Sequence, residues 1–453
     1  MVVHLIQALE GLKTENENEF FVSQGELVET AKRTAFCERL RVIHPVTFLM
    51  TLLTYRSFHS VPTIRELWQH YVRLTGYEGF DNSEILKYQS FYARFDESLV
   101  AYLKAVVCLA MAKLEVKSSW KFKGKLEQFD SVFIQDNTLV RLHKKLTARF
   151  PAARTRKPGK TAGFKVSVMF NAIAHGPCSI SVYPERTHDI KTFNVGKWVE
   201  NCLIILDLGF FKTWNFDKIV KYGGNFLTRL KSNSKPIVTR ILLPEAGTRY
   251  KDLIGLPVHE VLRKLPHGPV VMEVRVSFRR RKYRNKRGRV DICDFYCYAD
   301  FNHTAQRWHP YLTNLSPEEF TVQEICALYA YRWTIELLFK EIKSDNELGQ
   351  KKSVNAYLSE SMVYIAILRT VLSREFYSLI SRWLALNSNI VIPPLLWSRI
   401  FIEHLPLMAN IIRKETIFGF WFSDDWVNLL RDLVRCSIPI KRAESRLPPI
   451  LTL

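Results

Sequence analysis

The sequence predicts an α/β fold: a mixed sheet flanked by helices, carrying a β-rich insertion and bordered by helical N- and C-terminal regions. Three observations carry this expectation. Apolar residues recur at helical spacing up to about residue 125 and again after Ser344. Between them, β-branched runs alternate with short helical segments. One part of that middle region, 270–301, reads as two alternating strands around a very basic turn.

The elements follow in order. Leu27–Val42, Pro45–Thr54 and Ser98–Leu114 have helical apolar spacing. "SVPTIRELWQHYVRLTG" places a proline near the start of a helix and a glycine at its end. "SVFIQDNTLVRL" (131–142) is strand-like and contains Asp136. "FKVSVMFNAIA" (164–174) and "CSISVYPE" (178–185) are strands joined by a His175-Gly176-Pro177 turn. A helix is expected over Ile190–Glu200, with Asp189 as its cap in preference to a place beside His188 near the site. "CLIILD" (202–207) has the composition of a buried strand ending in Asp207. A glycine-stopped helix (214–224) and a strand (225–232) complete the set. This divides the chain into a helical region 1–125 that suits DNA binding, a core formed by 126–235 and 306–350, an insertion 236–305, and a helical region 351–453 for dimerisation or DNA contact.

Composition narrows the partner. The 453 residues are 47% hydrophobic and carry a formal net charge of +21, which favours a polyanion, most often nucleic acid. In 279–289, eight of eleven residues are Arg or Lys; Arg279, Arg280, Arg281 and Lys282 lead the run and are expected to meet phosphates. No apolar run reaches membrane-spanning length, and the N-terminal stretch lacks the basic start and long apolar centre of a signal peptide. The eight cysteines are scattered and read as reduced thiols of a cytoplasmic protein, with no zinc pattern.

The chemistry concentrates in "YAYRWTIELLFKEIKS" (329–344). At about 100° per residue, Tyr329, Arg332, Glu336 and Lys343 fall on one stripe, with Trp333, Ile335, Leu337, Leu338, Phe339 and Ile342 on the other faces. Spaced ion pairs on a surface helix would explain the charges, but the helix is too apolar for a free surface. A cleft-lining stripe is the better reading. Asp136, Asp207 and Glu336 then converge as oxygen ligands for Mg²⁺ or Mn²⁺, with two ions the expected number. Asp130 competes with Asp136 for the first position; an apolar run leading directly into Asp136 favours the latter.

The spacing Tyr, two residues, Arg, three residues, Glu, six residues, Lys resembles the signature of DDE transposases of the insertion-sequence-four family. "LIILDLGFF" (203–211) and "VFIQDNTLVRL" resemble the segments around that family's second and first acids; "YLTNL" (311–315) and "RTHD" (186–189) are similar as well. The resemblance covers roughly residues 125–350. It implies an RNase H-like core, metal-dependent cleavage of double-stranded DNA at transposon ends, strand transfer by a 3′-hydroxyl, and a homodimer on paired ends at the nucleoid. It also implies an aromatic residue that receives a flipped base, and Trp308 is placed there. Two other classes remain: a DNA-binding protein derived from a transposase that has lost catalysis, and an RNase H-like nuclease without strand transfer. Three intact acidic positions speak against the former and the insertion against the latter.

Overall fold

The protein is described by a computed structural model covering residues 22–39, 43–55, 63–76, 86–117, 124–153, 161–244, 249–279, 290–344, 353–387, 392–393, 396–405, 432 and 436. Among the described residues five helices come first: α1 (Gln24–Arg33), α2 (Pro45–Thr54), α3 (Ile64–Gly76), α4 (Tyr88–Tyr92) and α5 (Glu97–Lys117). Ser23 and Glu26 form a reciprocal cap on α1, and Thr63 and Glu66 make the equivalent contacts before α3. The first helix is shorter than expected. It stops at Arg33, and Ala35 follows at a φ of 56°. The buried rings of Phe36, Phe48, Tyr71, Phe91 and Tyr102 pack against one another between these helices.

The strands are β1 (Ser131–Leu142), β2 (Ala162–Asn171), β3 (Gly176–Pro184), β4 (Cys202–Leu206), β5 (Asn225–Arg229), β6 (Ile237–Leu243), β7 (Val270–Arg279), β8 (Val290–Asn302) and β9 (Arg307–Thr313). They form one sheet in the order β3-β2-β1-β4-β5-β9-β8-β7-β6. β1, β2 and β3 make an antiparallel meander; β4 and β5 run parallel to β1, joined by helix α6 (Thr213–Lys221). That order and these directions make the core RNase H-like. The hairpin turn begins earlier than the sequence suggests, because Gly176 and Pro177 already pair within β3 and His175 takes the positive φ of 48°.

The insertion is continuous with this sheet. β9 returns antiparallel to β5, β8 pairs with β9, and β7 and β6 extend the same edge; α7 (Val258–Lys264) lies between β6 and β7. The registers also give direction. Leu206 pairs with Thr228, Arg229 with Tyr311, and Tyr311 with Tyr298, so these residues mark one end of the sheet. From that level β8 runs back to Val290, away from this end, where it pairs with Arg279 at the base of the basic turn. Arg280, Arg281 and Lys282 lie outside the described residues.

No α-helix spans Ile190–Glu200. The segment makes two short 3₁₀ turns, Asp189–Lys191 and Lys197–Val199. The Thr192 hydroxyl donates to the Asp189 carbonyl at 2.7 Å and Gly196 is fully extended, so local side-chain bonds and an extended glycine displace the helical ladder.

The sheet is covered on both faces. Val132, Ile134, Leu203 and Ile205 face the core shared with the terminal helices; Phe133, Ile204 and Leu206 face the core shared with α6 and the insertion. All five β4 residues are buried, the pattern of a strand inside a two-sided layer. After β9 come α8 (Val322–Ala330), α9 (Trp333–Ser344) and the long α10 (Ala356–Asn387). Arg369 of α10 donates to the carbonyls of Leu52, Leu53 and Tyr55, satisfying the C-terminal end of α2. Arg374 of α10 forms an ion pair with Glu341 of α9, and both side chains are almost wholly buried. Among the described residues no helix is long and apolar enough to cross a membrane.

This buried pair ties α9 to α10, so removing one charge strands the other. Arg374→Ala is expected to destabilise the chain by about 3–5 kcal/mol. A urea unfolding curve with a markedly lower midpoint and an unchanged slope is the expected result.

Candidate active site

Parallel pairing brings two acids together. β1 and β4 are registered so that Gln135 lies opposite Leu206, and the next residues are Asp136 and Asp207. Asp136 does not end its strand; β1 continues, with Asp136 opposite Val168 of β2. Asp207 leaves β4 and caps the tight turn Leu208–Phe210, its Oδ2 accepting from the Gly209 amide at 3.4 Å. Asp130 is exposed at the other end of the strand, where its amide bonds the Asn201 carbonyl. It lies about 20 Å from Asp136 at the usual rise per residue.

Glu336 comes from α9, which packs on β1. The stripe that carries it is not one continuous helix. α8 ends at Ala330 and α9 begins at Trp333; the amides of Arg332, Thr334 and Ile335 bond carbonyls three residues back. Tyr329 therefore belongs to a different helix from Glu336. The break leaves Arg332 in the bend, with its guanidinium among the acids. Nη1 lies 3.3 Å from Asp136 Oδ2 and 3.8 Å from Asp207 Oδ1, and Nη2 lies 2.5 Å from Glu336 Oε1. The ring of buried Tyr329 lies 5.8 Å from the guanidinium carbon. Arg332 Nε is buried without a hydrogen-bond partner.

Burial, together with the neighbouring charges of Asp207 and Glu336, pushes the Asp136 carboxyl up to about 7. The Asn137 amide, which donates to Asp136 Oδ1 at 2.7 Å, and Arg332 pull the other way without cancelling this. Burial also raises the Tyr329 phenol to about 12 and lowers the Lys343 ammonium below its usual value. Lys343 is half-buried seven residues after Glu336, about 10 Å further along the helix.

Trp308 is half-buried on β9, edge-on to Phe301 at 5.4 Å and to His267 at 6.0 Å. Three residues beyond Tyr311, it lies at the acid end of the sheet, with β5 between its strand and β4. Trp333, counted among the apolar faces, is instead 59% exposed beside Arg332. Trp333 opens α9 directly after the 3₁₀ step at Arg332, which spacing alone does not show. Nor is Asp189 a helix cap. His188 holds the cap position of the short turn, and Asp189 accepts from Lys165 and Asn137.

The site's donor chemistry suits a hard divalent cation: three carboxylates converge on one positive centre. Among the described residues no three His, Cys, Asp or Glu side chains stand close enough to hold an ion as they are. The carboxylates close around the Arg332 guanidinium, which occupies the space between them.

The sheet order is that of an RNase H-like fold, with three acids at one end. The chain belongs to the Transposase DDE domain family, whose profile matches residues 127–361. It is 22% identical over 306 residues to the transposase for insertion sequence element IS231F of Bacillus thuringiensis subsp. israelensis, covering 62% of this chain and 63% of that one. It is 22% identical over 383 residues to the transposase for insertion sequence element IS1151 of Clostridium perfringens, covering 77% of each. A cryo-EM structure of piggyBac transposase in a synaptic complex with hairpin DNA superposes with a TM-score of 0.42 at 10% identity, over 94% of this chain and 86% of that one.

The raised Asp136 carboxyl has a stability consequence. Folded Asp136 keeps its proton up to about pH 7, whereas the unfolded group releases it near pH 4. Its favourable contribution is therefore full at low pH and is lost as pH rises from about 4 to 7. Asp136→Asn should melt above wild type at pH 8 without divalent metal, and the gap should close by pH 4. Melting curves across that range check the sign.

Proposed function

We propose that the chain is a DNA transposase that binds the ends of its insertion sequence, cuts them with metal-ion catalysis and joins them to target DNA through a 3′-hydroxyl. The observation that carries this is the convergence of Asp136, Asp207 and Glu336 on one cation at the end of an RNase H-like sheet. Family membership and the net charge of +21 support it. The three carboxylates would hold Mg²⁺ or Mn²⁺. Such ions lower the pKa of an attacking water or hydroxyl and stabilise charge on the leaving oxygen of a phosphodiester.

The chain's own groups do the rest. Arg332 neutralises the acids while DNA is absent. With DNA in place its guanidinium turns to a backbone phosphate, where its planar fork makes charge-assisted bonds. Lys343 meets a phosphate further along the same helix, and Tyr329 supports the Arg332 plane. Trp308 and exposed Trp333 offer ring faces to unstacked bases near the cut. The basic turn from Arg279 through Arg280, Arg281 and Lys282 to Arg289 adds sequence-independent affinity. Two copies on paired ends complete the assembly in this reading.

Asp136→Asn, Asp207→Asn and Glu336→Gln should each lower cleavage of a labelled duplex carrying the element's ends by at least about 10³-fold while end binding persists. Gel shifts and cleavage time courses with Mg²⁺, then EDTA, decide. Near wild-type cutting by any of the three removes that residue from the ligand set.

Neutralising four of the eight basic residues in 279–289 should weaken binding to all DNA sequences. It should also flatten the salt dependence by a slope of about 1 per lost phosphate contact. An unchanged slope means that the turn does not touch the backbone.

A further inference from the structure

We propose that Asp189 is a positioning residue that fixes the strand bearing Asp136 against the turn bearing Asp207. The inference rests on the transposase reading of those two acids. Asp189 lies in the connection between β3 and β4, on neither acid's own segment. Its Oδ1 accepts from Asn137 Nδ2 at 2.8 Å and from Lys165 Nζ at 2.5 Å. Asn137 directly follows Asp136, and its backbone amide donates to Asp136 Oδ1 at 2.7 Å. The Asn137 amide group also donates to Thr192 Oγ1 at 3.1 Å, and that hydroxyl in turn donates to the Asp189 carbonyl. One side of the Asp189 carboxylate is thus tied to the residue that orients Asp136.

The other oxygen packs against the turn that Asp207 caps. Gly209 is packed so closely that a β-carbon there would lie 2.6 Å from Asp189 Oδ2. The Gly209 amide is the group directed at Asp207 Oδ2. A single carboxylate therefore binds Asn137, which directly follows Asp136, and packs against Gly209, two residues after Asp207. Lys165 secures it from β2: the ammonium is buried and also donates to the Thr187 carbonyl at 2.5 Å. With its charge spent on Lys165, Asp189 is a strut and not a further ligand. Gly209 is required because any side chain there would push the Asp207 turn away from the strut. The spacing of the two acids sets where reacting oxygens are held, and displacements of about 1 Å cost on the order of 10²-fold in rate.

The experiment compares the full-length wild type with Asp189→Ala, Gly209→Ala, the double variant and Glu336→Gln. Four quantities are read: cleavage rate against Mg²⁺ concentration, end binding by gel shift, thermal melting, and binding of Mn²⁺ to the end-bound protein by electron paramagnetic resonance, with the same DNA alone as the blank. Asp189→Ala should lose about 10²-fold in maximal cleavage rate, require several-fold more Mg²⁺ and bind Mn²⁺ several-fold more weakly. Its end binding should stay within about twofold of wild type. Gly209→Ala should behave alike, and the double variant should be no worse than Asp189→Ala, because both substitutions break the same contact. Wild-type rate and metal dependence in Asp189→Ala overturns the proposal, as does a double variant whose losses multiply. So does a parallel collapse of end binding and melting, which would make Asp189 a general fold support. If Glu336→Gln cuts like wild type, the transposase reading of the site fails instead, and unchanged Mn²⁺ binding in Asp189→Ala would then overturn the strut separately.

Discussion

The catalytic region depends on the parallel pairing of β1 with β4. Five β4 residues buried on both faces leave the strand no freedom to slip, since a one-residue shift would exchange the faces of Leu203, Ile204 and Ile205. That register places Gln135 opposite Leu206 and brings two acids side by side at the strand ends. Hydrophobic burial, and no attraction between the acids themselves, overcomes their mutual repulsion.

The repulsion does not disappear; it is answered locally. Asp136 is partly withdrawn from water next to two other carboxylates, which is why its proton is held so firmly. Arg332 supplies the compensating charge from a bend between helices, and the buried Arg374–Glu341 pair anchors the helix after that bend. An ion and a DNA phosphate together would replace both halves of this arrangement, one for the acids and one for the guanidinium.

Much of this is legible in the sequence. α2 begins and ends where apolar spacing and Pro45 place it, and the β4 run and its terminal Asp207 read directly. The meander and the αβ alternation followed from β-branched runs and glycine stops. What escaped was set by contacts distant in sequence. Helical periodicity cannot register a 3₁₀ step, so Tyr329 and Glu336 fell on one helix and Trp333 appeared packed. Asp189 resembled a cap because Lys165 and Asn137, its true partners, lie 24 and 52 residues away. Strand composition likewise does not reveal that β9 pairs with both β5 and β8 of the insertion.

That pairing makes the insertion a rigid arm. Its strands β6, β7 and β8 share the hydrogen-bond ladder of the core sheet as far as the Arg279–Val290 pair. From the level of the acids, marked by Tyr298, to the base of the arm at Val290 is eight residues of β8, about 27 Å. The arm leaves from the end of the sheet opposite Asp136 and Asp207. A ligand that bears on both ends at once has to bridge that span, equal to about eight base pairs of duplex, and the sheet acts as a fixed ruler between them.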